Sequence, residues 1–500
     1  MSNKALDMNS ISSNSRRNFL QQAGKLSLTG IAAPWLANLA AIGEAAAFSA
    51  SDYKALVCVF FLGGNDYANT VVTYDNDSYA KYYAIRAADS GNDTSGVALS
   101  QSALAATELK PTQALAGGRK YALHPSMTGL TQLFNSGRAA VQLNVGPLVA
   151  PLTRAQYNSP DRKKYPLPPK LFSHNDQQSV WQSSAAEGST VGWGGRFGDV
   201  AMGNNANSLF TCISLSGNNV FLSGDAALQY QCSTKGAIPV NPAKSYFFNQ
   251  PELKTAFMQM LQKSSSHVLE SEYNTVMKRG INAQSIVSQG LAGVSLSAAF
   301  PSGNNLADQL KTVAQLIGAR SSLGAKRQVF MVTLGGFDLH DYLDTRHAPL
   351  LQKVDEAMTA FYKATVELGV ANQVTSFTAS DFGRTLTSNG DGSDHGWGSH
   401  HFVVGGAVKG AAFYGTPPPV SVGDTSAPED QWHVGQGRLL PSTSVDQYAA
   451  TLAKWFGLSP TELTVVLPNL KNFGSAAYPL DLGYFYTIGV SSTGIGCAVN

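Results

Sequence analysis

The sequence predicts an α/β fold built on a mainly parallel β-sheet. Short apolar runs that end in glycine alternate with segments whose apolar residues recur at helical spacing. Continuous apolar runs are typical of strands buried on both faces, and their alternation with helices is typical of parallel sheets. The chain has 500 residues, of which 43% are hydrophobic. The chain is therefore long enough to bury a large hydrophobic core without relying on disulfides or structural metals.

Five apolar runs are predicted strands. Four of them are Ala55–Leu62, 137–147, 329–334 and 374–378. The fifth, "HHFVVGGAVKGAAFYG", is predicted to form a strand that continues into a hairpin. Each run ends at glycine or at a polar loop, as a strand leaving a sheet does.

Three segments with helical periodicity lie between these runs. They are residues 124–137, which Gly137 ends, 348–369, and 443–458, which Thr443 or Ser444 caps and Gly457 ends. Residues 150–325 are less regular, with a helical part from Pro251 to about Arg320. We expect this region to be a cap or insertion within a single domain spanning 48–500.

The first 47 residues resemble a twin-arginine export signal. Ser15, Arg16, Arg17, Phe19 and Leu20 fill its pattern, and a weakly apolar stretch and three alanines follow. The alternative is an amphipathic helix with a chance arginine pair. Cleavage near residue 47 would give a periplasmic or otherwise exported protein, whose partner is the twin-arginine translocation machinery. The apolar part is too weak for a membrane span, so no integral span is expected in the mature chain.

Charge and cysteine spacing exclude several classes of protein. The net charge of +2 does not indicate a nucleic-acid or membrane-surface binder. The four cysteines match no zinc-finger pattern. Cys212 and Cys232 could pair in an oxidising compartment, and free thiols are the alternative.

Polar residues follow the predicted strands where the strands end. In chain order the candidates are Asp66, Asp338, His340, Asp381, Arg384, His395, His400 and His401. Because ligands bind beyond the carboxyl ends of parallel strands, we expect these loops to converge on one edge. Mixed histidine and aspartate ligation suits a divalent metal such as zinc, manganese or iron. Arg384 could bind an anion bidentately. The alternative is that these side chains are helix caps or solvated groups.

A second polar string, "LFSHNDQQSVWQS", follows an apolar pair. Ser173 is a candidate nucleophile, and His174 is a candidate ligand or base. Equally, Ser173 could cap the helix that residues 177–181 indicate. Other chemistries lack their signatures, since no GxSxG, P-loop, HExxH or CxxCH pattern occurs.

Seven motifs in order resemble the bacterial DUF1501 family, with the leader in front of them. They are the strand followed by "GGND", then "LHPSMTGLTQLFNSGRAAVQLNVGP", "LFSHNDQQSVWQS", "GWGGRFGD", "GGFDLHD", "SDFGRT" and "DHGWGSHHFVVGGAVKG". The family is similar to the alkaline phosphatase and sulfatase superfamily. That resemblance implies a three-layer αβα sandwich with one or two metals at the strand ends, used to hydrolyse phosphate or sulfate esters.

The resemblance also implies residue roles. Asp66 corresponds to the superfamily's first-strand aspartate, and Asp338 with His340 to a metal pair whose spacing here is two residues shorter. Asp381 corresponds to the aspartate of an Asp-His pair, whose histidine is replaced by Phe382. The last metal histidine would be one of His395, His400 and His401, and the nucleophile would be Thr70 or Ser173.

Two functions are therefore expected. The first is a metal-dependent hydrolase that acts on small anionic esters, with zinc as the candidate metal. The alternative is a non-catalytic periplasmic protein that binds a ligand or partner at the same edge.

Overall fold

The computed structural model describes residues 50–87, 96–244 and 247–486. The predicted export signal and Cys497 lie outside these residues. Among the described helices, none combines the length and the apolar character needed to cross a lipid bilayer.

The described strands and helices follow the predicted alternation. The strands are β1 (Lys54–Leu62), β2 (Val71–Thr73), β3 (Tyr121–Leu123), β4 (Ala139–Gly146), β5 (Cys212–Ser214), β6 (Gln229–Ser233), β7 (Gly236–Ala237), β8 (Arg327–Gly335), β9 (Val374–Ser380), β10 (Ser399–Gly405), β11 (Ala412–Tyr414) and β12 (Thr443–Ser444). The α-helices are α1 (Tyr67–Thr70), α2 (Asn76–Arg86), α3 (Gln101–Leu104), α4 (Thr128–Asn135), α5 (Arg154–Asn158), α6 (His174–Ser183), α7 (Trp193–Ala201), α8 (Pro251–Gln262), α9 (Val268–Ala292), α10 (Asn305–Gly318), α11 (Leu343–Glu367), α12 (Val445–Phe456) and α13 (Pro460–Val466).

One large sheet organises the molecule. Its strand order is β11-β4-β10-β9-β1-β8-β5-β6-β7, and β12 pairs with β4. The central pairs β9-β1, β1-β8, β8-β5 and β5-β6 are parallel, whereas β10 runs antiparallel to both of its neighbours. The structure thus confirms the predicted α/β fold with a mostly parallel sheet.

Each face of the sheet packs against its own apolar core. Along β1, Val57 and Val59 belong to one core, which α10 and α11 complete. Cys58 and Phe60 belong to the other, which α7 and α12 complete. Successive side chains of a strand point to opposite faces, so a continuous apolar run marks a strand covered on both sides.

The predicted hairpin after His401 is wrong. β10 and β11 do not pair with each other, because β4 lies between them and pairs with both. The run therefore contributes two strands on either side of a third that comes much earlier in the chain. Local sequence cannot reveal such an insertion.

Residues 150–325 contribute strands to the main sheet. β5 pairs with β8, and β6 extends the sheet beyond β5. Cys212 in β5 and Cys232 in β6 are buried free thiols. The disulfide alternative is therefore not what the structure shows.

The topology brings four segments to one edge of the sheet. Leu62 pairs with Gly335, and Phe61 pairs with Ser380, so β1, β8 and β9 end at the same level. The antiparallel β10 begins at that edge with Ser399. The loops after β1, β8 and β9 therefore meet the segment that leads into β10.

Two glycines let these loops pack closely. Gly63 has φ +117°, and a Cβ there would lie 2.3 Å from the backbone nitrogen of Asp338. Gly64 has φ +79°, and a Cβ would lie 2.3 Å from the ring of Phe382. Only glycine fits both requirements, which explains the Gly-Gly pair after β1.

Candidate metal centre

A histidine and aspartate cluster lies at this edge. The ligand atoms of His174, Asp338 and His395 all lie within 4.8 Å of one another. His174 begins α6, Asp338 follows β8, and His395 precedes β10. Side chains far apart in sequence therefore meet because the sheet brings three segment ends together.

His340 adds a third imidazole to the cluster. Its Nε2 lies 2.9 Å from Nε2 of His395 and 3.1 Å from Oδ1 of Asp338. Nε2 of His395 lies 3.2 Å from the same oxygen. Nε2 of His174 lies 3.3 Å from the other carboxylate oxygen of Asp338. Asp338 is therefore the common centre of three imidazoles.

Each imidazole has an oxygen acceptor at its Nδ1. His174 Nδ1 lies 2.7 Å from Asp381 Oδ2, and His395 Nδ1 lies 2.7 Å from the carbonyl oxygen of Phe172. His340 Nδ1 lies 3.2 Å from Asp394 Oδ1. Since these oxygens only accept, each Nδ1 carries a hydrogen, which leaves Nε2 as the nitrogen of each ring that could bind a metal.

The cluster fits a divalent cation. Three Nε2 lone pairs converging on one carboxylate form a set of nitrogen and oxygen ligands, and Nδ1 contacts of this kind orient histidine ligands in metal sites. Nε2 of His174 is buried without a hydrogen bond. Without a cation, the 2.9 Å contact between Nε2 of His340 and Nε2 of His395 requires one of the two nitrogens to carry a hydrogen and donate it. The cation-bound and cation-free states of the cluster can be distinguished by experiment.

The surroundings shift the pKa values of His174 and His395 in opposite directions. The hydrogen bond to Asp381 raises the pKa of His174, and burial lowers the pKa of His395. Burial alone would raise the pKa of Asp338, but the hydrogen bond and charge of Arg384 outweigh it and lower that pKa. Asp338 therefore remains a carboxylate, as a ligand must.

A family model described as "Protein of unknown function (DUF1501)" matches residues 53–466. The chain belongs to the DUF1501 family. No curated protein matches it.

Solved structures resemble this DUF1501 protein only remotely. One is described as "Crystal structure of Ps i-CgsB in complex with k-i-k-neocarrahexaose" (9% identity, TM-score 0.34, 84% of this chain and 77% of that chain). Another is described as "Metabolism of multiple glycosaminoglycans by bacteroides thetaiotaomicron is orchestrated by a versatile core genetic locus (BT33494S-sulf)" (10% identity, TM-score 0.30, 81% of this chain and 73% of that chain). At these TM-scores, neither likeness bears on the activity of the DUF1501 chain.

Several predicted residues lie in the same network of the DUF1501 protein, but not all face its centre. His174, Asp338, His340 and His395 are at the centre. Asp381 is fully buried behind His174, where its Oδ2 also accepts from Gly63 N and Gln178 Nε2. Its Oδ1 is buried without a partner. Asp381 thus orients His174.

Arg384 is enclosed rather than free to bind a ligand. It is fully buried and donates to the carbonyl oxygens of Gly63 and Ser393 and to Asp338 Oδ1. These bonds hold the loops after β1 and β8 against the segment before β10. The predicted role in anion binding is therefore corrected to a role in positioning Asp338.

Asp66 and Thr70 lie beneath the cluster. Oδ1 of Asp66 accepts from Asn69 N, and Oδ2 accepts from Arg86 and from the Ser393 hydroxyl. Thr70 is fully buried, and its hydroxyl donates to the Asp66 carbonyl. Every oxygen of the Asp66 carboxylate is used, and the Thr70 hydroxyl is enclosed in α1. The structure therefore corrects both predicted roles, as metal ligand and as nucleophile.

His400 and His401 belong to β10 and point into the cores. His400 Nδ1 accepts from Asn144 N, and its ring packs against Tyr67. His401 Nδ1 lies 3.3 Å from the Thr378 hydroxyl, and its ring packs against Trp181. Burial lowers the pKa of each to about 3. Both were predicted as metal ligands, but the strand begins before them and carries them away from the loop.

Ser173 precedes α6 as expected, although its side chain does not cap the helix. Its hydroxyl instead donates to Asp176 Oδ2 at 2.8 Å. The grouping of His174 with Asp338, and the Nδ1 acceptors Asp394 and Phe172, were missed. "SHNDQ" marked His174 as a candidate ligand, but no signal in the sequence paired it with a strand end 164 positions later.

Proposed function

We propose that this protein is an exported metal-dependent hydrolase of phosphate or sulfate esters. The proposal rests on one observation. The imidazoles of His174, His340 and His395 converge on Asp338, and the Nδ1 of each lies against an oxygen acceptor. In this reading the chain from residue 48 is one domain with the three-layer arrangement of the alkaline phosphatase class.

Zinc is the proposed metal, since nitrogen-rich ligand sets with one carboxylate suit it. When bound, a divalent cation supplies positive charge that polarises the ester oxygen and stabilises the charge that develops on it. Asp338, whose side chain is 45% exposed, leaves the centre open to solvent and to a substrate.

Arg438 is the proposed partner for the anionic group of the substrate. Its Nε donates to the His395 carbonyl at 2.7 Å, and its guanidinium lies 5.3 Å from the ring centroid of Phe172. Within the described residues its two Nη groups make no hydrogen bond. The guanidinium is therefore held beside a ligand loop with its bidentate donors unused, which suits a tetrahedral oxyanion.

Ser173 is the proposed nucleophile. It directly precedes His174, and Asp176, the acceptor of its hydroxyl proton, is 3% exposed. A carboxylate at 2.8 Å is placed to take that proton as the oxygen attacks. Lys170 lies 3.5 Å from the other oxygen of Asp176.

One observation favours the non-catalytic alternative. The ring of Phe382 packs against both His174 and His395, with ring centroids 4.8 Å and 4.6 Å away. An apolar wall of this kind suits a site that holds a metal and a ligand without reacting. Activity measurements separate the two functions.

The first experiment measures metal in the purified protein by elemental analysis. We expect about one zinc per chain, lost in His395→Ala and in His174→Ala. His267→Ala is the matched control, because it removes an exposed imidazole at the start of α9. The proposal would be contradicted if the wild-type protein carried no metal and bound none when zinc was added.

The second experiment tests hydrolysis on a panel of aryl phosphate and sulfate esters. We expect Ser173→Ala to reduce kcat/KM by at least about 100-fold with its metal content unchanged. Metal bound at full occupancy, without turnover of any ester, would support the binding protein instead.

Export is tested separately. Replacing Arg16 and Arg17 together by lysine should leave the chain in the cytoplasm, because the twin-arginine pair is the feature that the signal requires. Periplasmic recovery of the double variant at the wild-type level would exclude this route.

A further inference from the structure

An apolar surface is exposed on α8 and α9. Six of the fifteen large hydrophobic side chains that are exposed among the described residues lie on these two helices. They are Leu253, Met260, Val268, Leu269, Tyr273 and Val276. Concentrated exposure of this kind marks an interaction surface more often than scattered apolar residues do.

On α9 the exposed side chains continue a face that is buried elsewhere. In the C-terminal half, Ala283, Val287 and Gly290 are buried, and the first two belong to the main core. Counting back from Ala283 in steps of three and four residues gives Gly280, Val276, Tyr273 and Leu269. This alternating spacing is that of one continuous helix seam, which we call the α9 seam.

The α9 seam extends beyond the body of the molecule. Val276 is 42% exposed, Tyr273 is 49% exposed and Leu269 is 75% exposed, so exposure increases towards the start of the helix. Asn274, on another side of α9, is buried, and its Nδ2 lies 3.5 Å from the Lys263 carbonyl beside α8. The neighbouring helix therefore does not cover the seam.

Charges beside the α9 seam are arranged for pairing with an identical helix. Glu272 and Arg279 are both exposed and seven residues apart, so they lie on the same flank of the seam. Neither forms an ion pair with another described residue. When two such helices run antiparallel, like flanks face each other, and Glu272 of one copy meets Arg279 of the other.

We propose that the α9 seam is a docking surface for a second copy of this chain. The N-terminal halves of two α9 helices pair antiparallel about a two-fold axis, with Tyr273 and Val276 at the centre. Such an isologous contact uses the same patch on both copies and closes at two subunits. The paired segment is short, so the dimer is weak and forms with increasing concentration.

Sedimentation velocity of the full chain from about 1 to about 100 μM tests the pairing. We expect a concentration-dependent dimer that Val276→Glu weakens at least about tenfold, since the change places a carboxylate in the seam. Val465→Glu is the matched control, because Val465 is 41% exposed on α13. It should leave the dissociation constant unchanged.

Charge reversal tests the orientation. Glu272→Arg and Arg279→Glu should each weaken the dimer, because like charges then face each other, and the double variant should restore it. Circular dichroism confirms that each variant is folded. A parallel pairing would not give this rescue.

Two results would overturn the proposal. One is a monomer at every concentration. The other is binding of the seam to anionic lipid vesicles, lost in Val276→Glu, by a chain that does not self-associate. The second result would assign the seam to a membrane surface instead. Neither outcome depends on metal binding or ester hydrolysis.

Discussion

Asp66 and Asp338 both follow strand ends, yet their surroundings are opposite. Asp66 is buried against Arg86, which is itself fully buried. Burial alone would raise the pKa of Asp66, but the charge of Arg86 outweighs it and lowers that pKa. Asp338 has 45% of its side chain exposed and faces imidazoles. The first aspartate is equipped to stabilise the fold and the second to bind a ligand.

Asp66→Asn should therefore destabilise the protein without emptying the metal centre. The change leaves the Arg86 charge buried without its partner, which costs about 3–5 kcal/mol. Urea unfolding measures the loss, and elemental analysis measures the metal. A variant of normal stability that lacks metal would instead make Asp66 a ligand.

Asp381→Asn should weaken metal binding while preserving the shape of the site. The carboxylate that holds His174 Nδ1 becomes a neutral amide, and such changes lower metal affinity by about 10–100-fold. Competition with a chelator measures the affinity. Asp341→Asn, an exposed change in the loop after β8, is the control. An unchanged chelator titration for Asp381→Asn would remove Asp381 from the site.

At the strand ends, the sequence predicted that Asp338, His340 and His395 would lie close together, and the structure brings them together. They were identifiable because a parallel sheet brings its carboxyl ends to one edge. The same rule placed His400 and His401 there wrongly. Both lie within β10, and because successive side chains of a strand point to opposite faces of the sheet, their rings pack into the cores rather than at the edge.

At the scale of elements, the central strands were predicted within a few residues because they are buried on both faces. The predicted 329–334 strand is part of β8, and the predicted 374–378 strand is part of β9. The pairing of β11 with β4 could not be predicted, since it joins segments about 270 residues apart. The hydrophobic periodicity of a segment predicts whether it is buried on one face or on both. It does not predict which strand pairs with it.

The turn after β1 gives a prediction for an element junction. Gly63→Ala should displace the loop after β8, because the new Cβ would lie 2.3 Å from the Asp338 nitrogen. We expect loss of metal together with a lower melting temperature. Gly369→Ala is the matched control, since Gly369 also has a positive φ but nothing lies within 4 Å of its Cβ position.

The control variant should lose only about 1 kcal/mol of stability, the cost of a left-handed alanine. It should keep its metal. If both variants retained metal equally, the close approach of the loops after β1 and β8 would not be what positions Asp338.

For the whole molecule, buried neutral histidines set the response to acid. His124, His347, His400 and His401 are each at most 6% exposed. Burial lowers the pKa of His124 to about 4 and the pKa of the other three to about 3. These rings charge readily only after unfolding, because the low-dielectric interior disfavours imidazolium.

The sign of the effect on stability follows from proton uptake. Below about pH 6.5, the unfolded chain binds protons at these rings and the folded chain does not, so stability falls as the pH is lowered towards about 4. Between pH 7 and pH 5 each histidine should cost about 2 kcal/mol. Four together cost about 8 kcal/mol. Asp355 and Asp446 offset part of this loss, because burial raises the pKa of each to about 6 and both take up protons in the folded state over this range.

Urea unfolding of chelator-treated protein at pH 7, 6 and 5 tests this expectation. His401→Gln should reduce the fall in unfolding free energy between pH 7 and pH 5 by about 2 kcal/mol, because one proton fewer is taken up on unfolding. His267→Gln, which alters an exposed imidazole, should leave the fall unchanged. Equal pH dependence in the wild type and His401→Gln would mean that His401 is already protonated when folded. The core on that face of the sheet would then have to hold a charge, which the unpartnered Nε2 of His401 argues against.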